Sequence, residues 1–168
     1  MKKQALINYI KNKKEDEYYT PKEAILPLLE YIPKHKIIWE CTDAGNSQIS
    51  LLLKERGHKV ISTHIKTGFN FLIDTPTFNY DIIITNPPYS QKTEFLKRAY
   101  ELNKPFCFLM PITTLEGKER GELYRKHGIQ LLVFDKRINF SKTKKRPWFG
   151  VAWFCYKLLP SDLIFVKI

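Results

Sequence analysis

Four consecutive residues, Asn86, Pro87, Pro88 and Tyr89, combine groups that suit recognition of a flat molecule carrying an amine. The two prolines fix two φ angles and remove two backbone donors, so that carbonyl groups project stiffly from the chain. Asn86 adds a side-chain carbonyl acceptor and an amide donor, and Tyr89 adds a flat ring. The exocyclic amine of adenine fits this set, because it donates two hydrogen bonds in the plane of an aromatic base.

Two acceptors that hold both N–H groups of such an amine can draw its nitrogen toward tetrahedral geometry. The lone pair then becomes available for in-line attack on a methyl sulfonium. Catalysis of this kind consists of positioning and electrostatic stabilisation, and it needs no strong base because the proton becomes acidic once the nitrogen is alkylated. In a duplex, the base must first leave the stack. A proline-rich strand exit with incidental neighbours is the alternative interpretation.

The residues around this tetrapeptide predict where it lies. Residues 80–85 form an almost wholly apolar, β-branched run that is typical of a central strand covered on both faces, and residues 90–102 predict a helix. Further strands are predicted over residues 36–41, 58–65, 104–111, 129–140 and 148–159. Further helices are predicted over residues 48–57 and 113–128.

This alternation of strands and helices predicts an α/β fold, with a doubly wound, mostly parallel sheet and an antiparallel hairpin at its C-terminal end. No repeats, low-complexity tracts or Gly/Ser-rich linkers interrupt the chain, so one domain is expected over residues 1–168, with residues 1–19 as an N-terminal extension. Active sites of such sheets lie beyond the carboxyl ends of the strands. The tetrapeptide is expected at such a position.

A helix start is predicted at Thr20-Pro21-Lys22-Glu23. A threonine N-cap, a proline at the first helical position and a glutamate three residues after the cap form a capping box. The apolar spacing of residues 24–32 supports a short helix after it.

Net charge, hydropathy and the spacing of cysteines and histidines limit the classes of function that the chain can have. The net charge of +11 favours a polyanionic partner, DNA or RNA, over the alternative of a merely solvated surface. No apolar stretch approaches the roughly 20 residues that cross a bilayer, and the N-terminus lacks a secretory pattern, so a cytoplasmic protein without membrane contact is expected. The three cysteines lie far apart in the sequence and the four histidines are scattered, so no metal site is expected.

In the order of its motifs the chain resembles S-adenosylmethionine-dependent adenine-N6 DNA methyltransferases, particularly the compact kind found in bacteriophages and mobile elements. Tyr19-Thr20-Pro21, the Gly-containing segment after Glu40-Cys41, and the Asn-Pro-Pro-Tyr loop follow one another as in that family. The resemblance covers most of the chain. It implies a Rossmann-like class I methyltransferase fold, S-adenosylmethionine as cofactor, and methyl transfer to the N6 amine of adenine in DNA.

The resemblance also implies roles for individual residues. Asn86 and the Pro87 carbonyl would bind the target amine within a catalytic loop that includes Pro88, and Tyr89 would stack on the base. The residues that help to cover the cofactor would be Tyr19, Thr20 and Pro21.

The cofactor-binding half departs from the family pattern. The family loop usually has two glycines, whereas this chain offers only Gly45. His64 stands where a carboxylate normally accepts both ribose hydroxyls, and Asn70 stands where an aspartate commonly meets the adenine amine. Glu40 and Asp43 are candidates for the missing carboxylate, with a capping or turn role as the alternative for Asp43. A catalytically impaired nucleic-acid-binding protein or partner subunit therefore stays an alternative to an active enzyme.

A basic loop between the last two predicted strands is the candidate phosphate contact. Its cationic residues are Lys142, Lys144, Lys145 and Arg146. Phe140 or Trp148 can pack on the extruded base opposite Tyr89, with a place in the core as the alternative for Trp148. A separate target-recognition domain is not expected, so specificity would be low, come from this loop, or come from another subunit. A protein glutamine-amide N-methyltransferase is a further alternative, because a carboxamide poses the same chemical problem.

Overall fold

The structure is a computed structural model that describes residues 19–140 and 149–168. In these residues seven strands form one sheet with the order β2-β1-β3-β4-β6-β5-β7. The strands are β1 (Ile37–Glu40), β2 (Lys59–Ser62), β3 (Ile82–Thr85), β4 (Phe106–Pro111), β5 (Gln130–Phe134), β6 (Val151–Tyr156) and β7 (Leu163–Val166). The helices are α1 (Lys22–Leu29), α2 (Gln48–Glu55), α3 (Lys92–Leu102) and α4 (Lys118–His127).

The sheet is doubly wound. From β1 the chain passes through α2 to β2 on one side, and then returns to β3 on the other side of β1, with parallel pairing throughout. β4 continues the parallel set, β6 runs antiparallel between β4 and β5, and β7 pairs in parallel with β5. The predicted fold class is therefore confirmed. The direction of winding reverses between β1 and β3, which is where doubly wound sheets bind ligands.

Apolar cores cover both faces of the sheet, which explains the continuous apolar runs of β3 and β4. On one face, α1 and α2 pack with Trp153, whose indole N–H donates to the Ala24 carbonyl at 2.7 Å. On the other face, α3 packs with a cluster of aromatic rings around Trp39, whose indole N–H donates to the Thr63 hydroxyl at 2.8 Å. Both indole donors are thus satisfied within the core.

Several element boundaries differ from the predicted ones. One-turn 3-10 helices at Tyr89–Gln91 and Ile112–Leu115 precede α3 and α4, which therefore begin later than expected. β5 ends at Phe134, well before residue 140. β7 was not predicted, because it is a four-residue strand that alternates between exposed and half-buried positions at the edge of the described sheet.

The predicted capping box at Thr20 is wrong. α1 begins at Lys22 with Pro21 as its N-cap, and no side chain caps it. The Thr20 hydroxyl instead accepts a hydrogen bond from the side-chain amide of Asn86 at 3.1 Å. The hydroxyl of Thr20 therefore takes part in a tertiary hydrogen bond and does not cap α1.

The three cysteines are buried free thiols. Cys107 and Cys155, although distant in sequence, lie directly opposite each other on β4 and β6, and burial raises the pKa of the Cys107 thiol well above its usual value. Within residues 19–140 and 149–168, no group of three or more metal-ligating side chains is assembled. In the same residues, no helix combines the length and apolarity needed to cross a membrane.

Candidate functional site

A cavity of about 350 Å³ opens where the winding of the sheet reverses. Its walls come from four parts of the chain: the first described residues, the loop after β1, the segment after β2, and the residues that follow β3. Tyr19, 82% exposed, lies at its rim, and Asn86 and Pro88 form the wall beyond β3. A volume of this size falls in the range of small-molecule sites.

A smaller cavity of about 60 Å³ adjoins the first. The two share Thr42, His64 and Pro88 as wall residues. The smaller one has a largely apolar lining, with Asn70 as a polar member. The apolar lining residues are Ile65, Phe69, Phe71, Leu72 and Phe95.

Asp43 organises the loop after β1. Its Oδ1 accepts hydrogen bonds from the backbone N–H groups of Asn46 and Ser47 at 3.1 and 3.0 Å. Its Oδ2 accepts from the hydroxyls of Ser50 and Ser62 at 2.5 and 3.3 Å. Burial alone would raise the pKa of Asp43, but the Ser50 hydroxyl and the backbone N–H groups outweigh it and lower the pKa. Asp43 is therefore an ionised carboxylate that holds the loop and contributes a negative charge to the cavity wall.

Gly45 serves the conformation of the same loop. Its φ of +110° lies in a region that residues with a side chain rarely adopt. A Cβ at this position would meet no atom of the described residues within 4 Å. The glycine is thus required by the turn itself, while its neighbours Ala44 and Asn46 line the cavity.

Glu40 joins the ends of the two strands that flank the switch in winding. Its Oε1 accepts from the backbone N–H and the hydroxyl of Thr42 at 3.3 and 3.1 Å, and from the hydroxyl of Thr85. The side chain is 1% exposed. Burial raises the pKa of Glu40 to about 8, helped by the charge of Asp43 and opposed by the hydrogen bonds from Thr85 and Thr42. Glu40 is thus largely protonated at neutral pH and does not present a full negative charge to a ligand.

Asn86 is held at both its side chain and its backbone. The side-chain Nδ2 donates to the Thr20 hydroxyl at 3.1 Å. The backbone carbonyl lies 3.5 Å from the hydroxyl of Thr42, which itself lies 2.5 Å from the hydroxyl of Thr85. Asn86 therefore lines the cavity from a fixed strand end, and its side-chain Oδ1 is buried in this conformation.

The ring of Tyr89 is buried in this conformation. Its ring is in edge-to-face contact with Phe149, with centroids 5.9 Å apart and planes at 81°, and the residue is 8% exposed. Its backbone carbonyl accepts from Lys92 Nζ at 3.1 Å. Because the ring offers little surface in this conformation, stacking of Tyr89 on a base stays a prediction.

His64 and Asn70 both use acceptor atoms within the chain. His64 Nδ1 accepts from the backbone N–H of Lys66 at 3.0 Å, so a neutral ring carries its hydrogen on Nε2 and offers a donor. Asn70 Oδ1 accepts from the backbone N–H of Leu72 at 3.0 Å. His64, two residues after β2, therefore uses Nδ1 as an acceptor within the chain, whereas the family resemblance implies a double acceptor for the ribose at this position.

Thr42, Thr85 and Lys66 belong to the site, although sequence reasoning did not select them. The sequence did contain an indication for Thr85, because it is the last residue of a predicted apolar strand. Polar residues at strand carboxyl ends reach the site of a doubly wound sheet. Phe140 is half-buried and packs against the core cluster that contains Tyr89. Some of the predicted nucleic-acid contacts lie outside the described residues, namely Lys142, Lys144, Lys145, Arg146 and Trp148.

No protein-family model and no curated protein sequence matches the chain. Solved structures match it in fold. The methyltransferase subunit of a type I restriction-modification system from Streptococcus thermophilus is 17% identical, with a TM-score of 0.57 over 98% of this chain and 50% of the subunit. A TehB-like SAM-dependent methyltransferase from Corynebacterium glutamicum is 12% identical, with a TM-score of 0.51 over 94% of this chain and 96% of that one.

A third solved structure contains a ligand. The 1,6-didemethyltoxoflavin-N1-methyltransferase from Burkholderia thailandensis, solved with 1,6-didemethyltoxoflavin and S-adenosylhomocysteine, is 12% identical, with a TM-score of 0.51 over 92% of this chain and 85% of that one. At these identities the similarity shows the fold, which is the Rossmann-like fold of class I methyltransferases. The chain spans half the length of the restriction-modification subunit that it matches.

Proposed function

We propose that this chain is an S-adenosylmethionine-dependent methyltransferase that acts on the exocyclic N6 amine of adenine in DNA. The observation that carries the proposal is the position of Asn86. Asn86 lines a ligand-sized cavity, at the point in a class I methyltransferase fold where the winding of the sheet reverses. An amide held there is suited to accept a hydrogen bond from an amine beside a bound methyl donor.

The chemistry of the cavity walls fits S-adenosylmethionine. The ligand has an ammonium and a carboxylate, and the larger cavity carries the ionised Asp43 and the cationic Lys66. The ligand also has an apolar-faced adenine, and the adjoining cavity is lined by Ile65 and several phenylalanines. When bound, the cofactor supplies an electrophilic methyl group on a sulfonium.

The expected contact between the ribose of the cofactor and His64, which follows β2, is the part of the site that fits S-adenosylmethionine least well. The Nε2–H of a neutral His64 can donate to a hydroxyl oxygen but cannot accept from one. A carboxylate at the same position would accept from two hydroxyls with charge assistance. We therefore expect binding that is weaker than a carboxylate would give, rather than no binding.

The amine would be held by acceptors of the Asn-Pro-Pro-Tyr loop. Asn86 directs Nδ2 toward Thr20, so the carbonyl end of its amide points away from Thr20. That carbonyl and the backbone carbonyl of Pro87 would accept from the two N–H groups of the substrate amine. No strong base is needed, because the nitrogen loses its proton only after it has gained the methyl group. The residues act by positioning and by stabilising the positive charge that develops on nitrogen.

DNA is the substrate best supported by charge and by similarity. A net charge of +11 suits a polyanion. Two of the structural neighbours are type I restriction-modification subunits, from Streptococcus thermophilus and Vibrio vulnificus, and this chain covers half of each. We propose that the basic loop at residues 142–146 contacts phosphates and that a partner subunit supplies target recognition.

The second candidate is a methyltransferase-like protein that binds nucleic acid without catalysis. Two observations favour it: His64 replaces the acceptor expected at the end of β2, and Tyr89 is packed against Phe149 instead of offering a face to a base.

Transfer of radioactive methyl groups separates these candidates. S-adenosylmethionine labelled on the methyl group is incubated with DNA, RNA and protein in parallel, and its binding is measured by calorimetry. We expect label in DNA, reduced at least about 100-fold in Asn86→Ala and unchanged in the exposed Asn79→Ala. Label in protein would support the glutamine-amide alternative. An absence of both label and binding heat at millimolar cofactor would support the non-catalytic protein.

A further inference from the structure

A row of lysines follows the edge of the sheet that faces away from the cavity. The cavity lies at the carboxyl ends of β1 and β3, so the opposite edge is formed by the amino ends of the parallel strands and the carboxyl end of β6. Along the strand order β2-β1-β3-β4-β6, a lysine lies within two residues of this end of every strand except β3. The members of this row, the amino-edge lysines, are Lys59, Lys36, Lys104 and Lys157.

Most of the net charge of the described residues lies at the same edge. The strand ends there, together with the seven residues beyond each, hold nine lysines and arginines and five carboxyl groups. The other described residues hold ten lysines and arginines and nine carboxyl groups, so they are almost neutral. Within residues 19–140 and 149–168, this edge is therefore the main source of positive potential.

Asp81, at the amino end of β3, interrupts the row of lysines. Its Oδ2 accepts a hydrogen bond from a backbone N–H of β1 at 2.8 Å, and its Oδ1 lies 3.9 Å from Lys36 Nζ. Lys104 Nζ lies 5.9 Å from the ring centroid of Tyr80, and Lys59 forms no ion pair with another described residue. Because a lysine ammonium has three donors, these contacts leave N–H groups for an anion.

Lys157 adopts a backbone conformation that a lysine seldom takes. Its φ of +54° lies in the left-handed region, which glycine or asparagine adopts at lower cost. Its Nζ donates to Asn103 Oδ1 at 2.9 Å and lies 4.9 Å from the ring centroid of Tyr156. The turn after β6 would favour glycine at this position. What the lysine adds is an ammonium group held beside the residues that lead into β4.

The length of the row suits the backbone of a DNA duplex. Neighbouring strands lie about 4.8 Å apart, so the four intervals from β2 to β6 span about 19 Å. One DNA strand carries a phosphate about every 3.4 Å of helix axis, so about five or six phosphates face such a row. Strands of four to six residues hold this edge about 13–20 Å from the cavity side, and smooth bending of a short duplex around that distance is costly.

We propose that the amino-edge lysines form a second DNA-binding surface, which contacts the phosphate backbone of a duplex other than the one at the cavity. The contacts are electrostatic and carry no sequence information. The surface does not depend on methyl transfer, and it allows one chain to hold two DNA segments at opposite ends of the sheet.

Acetylation of lysines, read by mass spectrometry, locates the surface in the full chain. The chain is acetylated at low salt with and without an excess of a DNA duplex of about 12 base pairs. We expect the duplex to slow acetylation of the amino-edge lysines at least about threefold and to leave the exposed Lys167, after β7, unchanged. An absence of protection at the amino-edge lysines, or equal protection of Lys167, would overturn the proposal.

A variant that loses the same charge elsewhere is the matched control. It combines four substitutions of exposed lysines away from this edge, Lys22→Gln, Lys118→Gln, Lys136→Gln and Lys167→Gln. We expect the amino-edge lysines of this variant to be protected to within about twofold of the wild type. Loss of their protection would mean that net charge alone attracts DNA, which would overturn the proposal. Poly-L-glutamate replaces DNA in a parallel sample, and protection as strong as that by DNA would assign the edge to an acidic protein instead.

The edge variant, in which glutamine replaces all four amino-edge lysines, tests the number of duplexes bound. In sedimentation at low salt we expect it to bind one duplex fewer than the wild type, while methyl transfer stays within about threefold. An edge variant that binds as many duplexes as the wild type would contradict the proposal. Lys59→Gln combined with Lys104→Gln repeats the test if the edge variant does not fold. If the wild type transfers no methyl group while the amino-edge lysines are protected, the second surface stands and the proposed function fails.

Discussion

Glu40 and Thr85, the last residues of the neighbouring strands β1 and β3, are joined by a hydrogen bond from the threonine hydroxyl to the buried carboxyl group. The contact ties together the two strand ends between which the winding of the sheet reverses. Asn86 follows Thr85 directly along the chain. The backbone carbonyl of Asn86 lies 3.5 Å from the hydroxyl of Thr42, and that hydroxyl lies 2.5 Å from the hydroxyl of Thr85. The acid at the end of β1 therefore supports the loop that carries the proposed chemistry.

Replacing Glu40 by Gln should flatten the pH dependence of stability. Because the pKa of Glu40 is raised from 4.5 to about 8 in the folded protein, the folded state holds a proton that the unfolded chain releases between these values. The stabilisation is complete below pH 4.5 and is lost as the pH rises toward 8, at no more than about 1.4 kcal/mol per pH unit. Urea unfolding of the wild type and Glu40→Gln from pH 5 to pH 8.5 measures the difference.

The exposed Glu30→Gln is the matched control and should keep the wild-type slope. Equal slopes in the wild type and Glu40→Gln would mean that Glu40 is ionised throughout this range.

Replacing Gly45 by Ala should destabilise the loop after β1 by backbone strain alone. A side chain at φ +110° is strained by about 1–3 kcal/mol, although nothing in the described residues would collide with it. The free energy of unfolding in urea measures the cost. Gly121→Ala is the control, because Gly121 lies within α4, where alanine is favoured by up to about 1 kcal/mol, and the Arg125 guanidinium nitrogen that its Cβ would approach to 3.2 Å is the end of a flexible side chain. A loss of stability in Gly121→Ala equal to that in Gly45→Ala would remove the conformational explanation.

Replacing His64 by Asp should tighten binding of S-adenosylmethionine. An aspartate can still accept from the backbone N–H of Lys66, and it adds the charged acceptor that a ribose requires. We expect the Kd from calorimetry to fall by about tenfold, which corresponds to about 1.4 kcal/mol. His35→Asp makes the same change at an exposed position before β1, which is the end of that strand away from the cavity. It should leave the Kd unchanged. A weaker or unaltered Kd in His64→Asp would mean that the ribose does not meet this residue.

The sequence predicts the central part of the fold well. β3 and β4 lie within predicted apolar runs, because a strand covered on both faces must be apolar at every position. β7 escapes prediction for the opposite reason: its four residues alternate between exposed and half-buried positions. The pairing of Cys107 with Cys155 follows from the insertion of β6 between β4 and β5, which no local pattern encodes.

The site is predicted less completely than the fold. The Asn-Pro-Pro-Tyr loop was expected at a strand end and lies there, after β3. Thr20 was assigned to a helix cap, because local capping and a long-range hydrogen bond favour the same residue type. The turn role that the sequence allows for Asp43 matches its hydrogen bonds from Asn46 and Ser47, three and four residues on. Its contact with Ser62, and the contact of Glu40 with Thr85, arise only when the loop and the strands come together.

The proposed function requires that the cavity beside Asn86 supports methyl transfer to adenine. Mass spectrometry of nucleosides from DNA incubated with the protein and S-adenosylmethionine tests it most directly. We expect N6-methyladenine with the wild type and at least about a 100-fold smaller yield with Asn86→Ala. DNA that contains no N6-methyladenine after incubation with the wild type, or an equal yield with Asn86→Ala, would rule out adenine methylation at this site.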